Sequence, residues 1–137
     1  MAKGVTYLNP ANAPQPGMYS HVAITEGGRI AYIAGQTSVD LAGKPVSPTD
    51  FAGQIPVVFG HIGAILKDLG ADWSDVLQYT TYLVGTDKRD AWQKGRMELF
   101  AKIYPDKKYP PNTLLIVQGL ARPEYLLEIS AIVRLPG

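Results

Sequence analysis

The apolar positions of this chain change period several times, and each change marks an element. Residues 76–84, "VLQYTTYLV", form a β-branched and aromatic run of strand type. In "FAGQIPVVFGHIGAILKDLGA" the period lengthens: Val58, Ile62, Ile65, Leu66 and Leu69 recur at helical spacing, with Thr49 or Asp50 as N-cap and Gly70 as stop. Pro56 has no N–H to give, so this helix either begins close to it or kinks in its first turns. Residues 87–104 read as a second helix, with Trp92, Leu99, Phe100 and Ile103 along one stripe and Pro105 ending it. Two strand-like runs, 19–25 and 29–34, flank Glu26-Gly27-Gly28, and a Gly pair that accepts positive φ predicts a hairpin there. The segment up to Gly17 is rich in Pro, Asn and Gly and reads as loop with one short strand at "VTYL". Two last strands, "NTLLIVQGL" and "YLLEISAIV", are joined by a turn over residues 121–124.

The resulting order, β-β-α-β-α-β-β, is an α+β pattern. Runs such as "LLIV" and "AYIA" are apolar without alternation, which implies burial on both faces of the sheet. Two helices cover only one face. The other requires a partner, and a symmetric homo-oligomer is the expected one.

Composition narrows the function. A length of 137 residues suits one domain, 1–137, and 46% hydrophobic with 18% charged residues suits a packed core. The formal net charge of +1 leaves little field to attract phosphate backbones, so nucleic acid is not an expected partner. With no cysteine, thiol nucleophiles and thiolate metal sites are excluded, and His21 and His61 are too far apart in sequence for a zinc-binding motif, so a zinc site is not expected. No apolar run is long enough to span a bilayer and the start lacks a signal-peptide pattern, so a soluble cytoplasmic protein is expected.

Several segments then line up with one family. "GMYSHV", "IAGQT", a helix carrying Gln54, "GADWSDVLQYTTYL", "YPPNT" and "LEISAIV" resemble, in order and spacing from about Gly17 to Val133, the reactive intermediate deaminase (RidA) family, also called endoribonuclease L-PSP or translation-inhibitor-like proteins. The resemblance implies a chorismate-mutase-like fold, with two helices on one face of a mixed sheet, assembled as a homotrimer with small-molecule clefts between subunits. It also implies cofactor-free hydrolysis of imines and enamines derived from amino acids. A non-catalytic metabolite-binding trimer is the alternative, and a ribonuclease or translation inhibitor a more distant one.

Imine hydrolysis requires protonation of nitrogen, a water aimed at carbon, and a hold on the rest of the molecule. Within the resemblance, Glu128 matches the carboxylate thought to position or activate the water, and Tyr19 matches a hydroxyl lining the cleft. Asn112, with Thr113 beside it, stands where active members carry an Arg that grips a carboxylate. A neutral amide cannot replace that ion pair, whose loss costs ~2 to 5 kcal/mol, so a substrate other than a simple 2-imino acid is expected. Ala34 replaces a frequent Ser before Gly35, and Gly35 reads as a close backbone approach or a bulge. Gln93 falls where a cleft-facing Asn is common. One turn on, Arg96 interrupts an apolar stripe: it either reaches the cleft to bind an anion or Glu128, or lays its stem on the helix and its head in water. His21 reads as a neutral-pH acid or base or as a surface residue, Asn112 and Thr113 also as satisfying backbone at a strand start, and Trp73 as packing.

Overall fold

The computed structural model describes residues 4–136; residues 1–3 of the expected opening loop and Gly137 lie outside them. Six strands and two helices follow in the order β1 (Val5–Leu8), β2 (Val22–Thr25), β3 (Arg29–Gln36), α1 (Phe51–Asp68), β4 (Val76–Val84), α2 (Arg89–Ile103), β5 (Asn112–Val117) and β6 (Leu127–Leu135). Single 3-10 turns at Trp73–Asp75 and Thr86–Lys88 lead into β4 and α2.

The main sheet runs β3-β6-β4-β5, with β4 and β5 parallel and the other pairs antiparallel. The α2 crossover makes the parallel pair possible, since parallel neighbours need a long return connection. Strict alternation along β6 sends Leu127, Ile129, Ala131, Val133 and Leu135 under the helices and leaves the intervening residues on the opposite, helix-free face. Phe59 of α1 centres the core, its ring 5.9 Å from those of Tyr79 and Phe100 and 6.2 Å from that of Trp92. Trp73 packs on Phe59 and beneath Gly63, a purely structural place.

α1 starts five residues before Pro56, whose missing N–H is tolerated on an exposed flank inside the helix. Its end is a Schellman closure: Gly70 (φ 71°) donates to Lys67 O at 3.1 Å and Ala71 to Leu66 O at 2.9 Å. Asp50 occupies the N-cap position without a side-chain cap bond. Gln54, fully buried, donates to Ser47 O and Glu124 O and accepts from Leu126 N–H, bracing two loops against α1.

The expected hairpin is corrected. Gly27 and Gly28 do take positive φ, 61° and 81°, but the strands they join belong to different sheets. β2 pairs with β1, Val22 opposite Leu8, while β3 pairs with β6, Tyr32 opposite Ile132. A glycine pair fixes where the chain turns and not which neighbour wins the ladder. Tyr7 of β1 anchors the small sheet by donating to Val76 O at 2.7 Å.

Candidate functional site

Glu128 lies at the centre of the helix-free face, on β6, opposite Tyr82 of β4. Its carboxylate rests on β3 at Gly35: a Cβ built on that glycine would fall 2.6 Å from Glu128 Cδ and closer still to Oε2. The ladder between β3 and β6 slips between Ile33 and Gln36, so Ala34 and Gly35 form a bulge that receives the acid. Of the two roles expected of Gly35, the bulge is present, and what approaches its backbone is the Glu128 side chain. Among the described residues no cation or hydrogen-bond donor pairs with the Glu128 carboxylate. A half-buried acid with free lone pairs can accept a proton from a bound water.

Asn112 opens β5 on the opposite side of the sheet. It stands level with buried Tyr79, and its Oδ1 accepts the hydroxyl of Thr81, itself buried, at 2.8 Å. Thr113 stands level with Thr80 on the helix-free face. Adjacent strand residues point to opposite faces, so the Asn-Thr pair does not look into one place.

Arg96 belongs to the Asn112 side. It is 8% exposed on the α2 stripe Trp92–Arg96–Phe100, and its Nη2 donates to Gln93 Oε1 at 2.7 Å. Within the chain it does not pair with Glu128; its Nε is enclosed, and burial lowers its pKa, with the Tyr109 phenol raising it. Tyr19 precedes β2 instead of lying in it, its ring edge-on to His21 at 5.4 Å. His21 is held structurally, Nε2 to Pro14 O at 2.6 Å and its N–H to Asn9 Oδ1 at 2.7 Å.

The predicted residues therefore fall into two groups on opposite faces: Glu128, Ala34, Gly35 and Thr113 on one, Asn112, Gln93 and Arg96 on the other. Tyr82 was missed, because only strand register places it beside Glu128. Among the described residues no three His, Cys, Asp or Glu side chains gather as metal ligands, and no helix is long and apolar enough to cross a membrane.

This is a small α+β protein with an unpaired acid on an uncovered mixed sheet. The chain belongs to the endoribonuclease L-PSP family, whose model matches residues 10–135. It is 32% identical over 122 residues to a RutC family protein of Pyrococcus horikoshii, covering 88% of this chain and 90% of that one. A RutC family protein of Pyrococcus abyssi is 30% identical over 134 residues, 96% of this chain and 97% of that one. The crystal structure of a conserved Rid family protein of unknown function from Yersinia pestis superposes with a TM-score of 0.85 at 28% identity, covering 96% of this chain and 99% of that one.

Proposed function

We propose that this protein is a cytoplasmic small-molecule hydrolase acting on a C=N bond, with its clefts formed between the chains of a homotrimer. The observation that carries this reading is Glu128, a carboxylate lodged in the Gly35 bulge without a counter-charge. In the reaction the carboxylate takes a proton from water as the water oxygen bonds to the imine carbon. The C=N π electrons move to nitrogen, which takes that proton from the carboxyl group, giving a carbinolamine. The carboxylate then relays the carbinolamine's hydroxyl proton to its nitrogen, the C–N bond breaks as the carbonyl forms, and ammonia and a carbonyl product separate. Tyr19 would line the cleft, and Thr113 and the Ala34–Gly35 backbone would hold the ligand.

One chain does not bring both residue groups to one ligand, because the sheet lies between them. A neighbouring copy on the helix-free face would set its Asn112 edge beside the Glu128 of the first. That face also carries apolar surface suited to such a partner, with Tyr32 77% exposed and Ile30 36%.

The test couples oxidation of an amino acid to the decay of its 2-imino acid. Wild-type protein is expected to accelerate that decay little, Asn112→Arg to accelerate it more, and Glu128→Gln to remove turnover. Full activity in Glu128→Gln would end the hydrolytic reading and favour a binding trimer.

A further inference from the structure

Between β1, the 3-10 turn at Trp73–Asp75 and the segment that follows α2 lies a cavity of about 590 Å³. Its volume is that of an ordinary small-molecule site, and none of the residues assigned to the hydrolytic reaction lines it. Hydrogen bonds fix its walls. Tyr7 donates to Val76 O and Tyr104 to Trp73 O, so both phenols turn ring surface, and not a free hydroxyl, toward the space. Ser20 gives its hydroxyl to Tyr109 O at 2.5 Å, and Ser74 gives its own to Asp72 Oδ1. Lys107 holds a left-handed φ of 59°, rare for a side chain of its kind, and its N–H closes onto Tyr104 O at 3.0 Å.

Other polar groups on the wall are left with capacity to spare. Asn9 Oδ1 accepts from His21 N–H at 2.7 Å, which leaves the NH2. Asp106 Oδ1 accepts from Lys108 N–H at 3.2 Å, which leaves the second carboxylate oxygen. Among the described residues nothing pairs with the Lys107 or Lys108 ammonium group or with the Thr6 hydroxyl. The charges come close to balance. Two ammonium groups stand against Asp106, against buried Asp75, and against the C-terminal end of α2, worth about half a negative charge. Both acids act at the wall, since after burial they are the causes that raise the pKa of Tyr7. An anion would be opposed by Asp106, and a cation by both lysines. A hydroxyl both donates and accepts, and so suits all of these groups at once.

We propose that this cavity is a second binding site, for an uncharged polyol of monosaccharide type: ligand hydroxyls accept from Lys107, Lys108 and Asn9 and donate to Asp106, while the C–H face of the sugar ring lies against Tyr7 and Ile103. Those two residues supply the apolar surface that such a face needs. The site stands apart from Glu128, which lies on the helix-free face of the main sheet.

Isothermal titration calorimetry of the full chain with D-glucose, D-galactose, D-mannose and D-ribose tests it, with D-glucosamine and D-glucose 6-phosphate as charged counterparts. At least one uncharged sugar should bind saturably in the millimolar range or tighter, and neither charged form should bind more tightly than glucose. D106A should weaken binding about tenfold, the loss of a hydrogen bond to a charged group. T6W, at an exposed strand position whose hydroxyl is unpaired, fills the opening and should abolish binding. K107G removes an ammonium group at a position whose backbone suits glycine; it too should weaken binding, and carries the test if D106A or T6W does not fold. E128Q should bind the sugar as the wild type does. No saturable binding of any of the four sugars, tighter binding of a charged form, undiminished binding by D106A, T6W or K107G, or loss of binding in E128Q would each overturn the proposal. Sugar binding that survives in E128Q stands whether or not the protein hydrolyses imines, so the two readings fail separately.

Discussion

Glu128 and Gly35 depend on each other. Gly35 carries no positive φ, so alanine is allowed there by backbone conformation, and only its methyl collides with the Glu128 carboxylate. Gly35→Ala is therefore expected to displace the acid while leaving the melting temperature nearly unchanged. Misplacement on the scale of 1 Å costs about a hundredfold in rate, which the imine-decay assay reads when Gly35→Ala is combined with Asn112→Arg; turnover unchanged from Asn112→Arg alone would show that the acid need not lie in the bulge. Glu128 was legible as a sheet-face acid because alternation in "YLLEISAIV" sets it apart from the apolar positions. What lay beneath it was not, since Gly35 is distant in sequence and reaches it through a bulged ladder.

At the scale of elements, the two helices and β4 follow from apolar periodicity alone, to within a few residues at each end. Strand partners do not, and the hairpin expected at Gly27-Gly28 failed for that reason. The tyrosines joining the elements were also invisible as a set. Tyr79 of β4 and Tyr104, just past α2, share a hydrogen bond of 2.7 Å; Tyr104 donates onward to Trp73 O at 3.2 Å, and Tyr7 bonds Val76 O. Burial, the largest cause in each case, raises the pKa of all three above the ordinary tyrosine value. The unfolded chain starts to lose these protons near about pH 10, while the folded chain keeps them. Stability present below that pH is thus lost as pH rises above it, because the native state binds more protons there. Urea midpoints should fall between pH 8.5 and pH 10.5, values chosen to bracket that window, and Tyr7→Phe should make the fall shallower. A slope identical in the variant would remove Tyr7 from the effect.

At the scale of the molecule, two helices cover one side of a four-stranded sheet and leave the other with Ile30, Tyr32 and Leu115 partly or largely exposed. We expect light scattering to give the mass of three chains, and Tyr32→Glu to shift it toward that of one, since a charge on that face would be desolvated on assembly. Added to Asn112→Arg, the same substitution should lower imine turnover if the cleft needs two chains. A wild-type monomer with full activity would refute the shared cleft.

Period and composition determined the elements, their α+β order and the uncovered sheet face, because these depend on local spacing and on how much apolar surface the elements can hide; the choice of Glu128 as the acid came from the family resemblance. The tertiary structure alone decided which strands pair, that Asn112 bonds the Thr81 hydroxyl, that Glu128 settles on Gly35 beside Tyr82, and that the Arg96 Nε is enclosed. Each of those is a contact between residues far apart in the chain, and such contacts are set by register and packing in three dimensions, which no local pattern encodes.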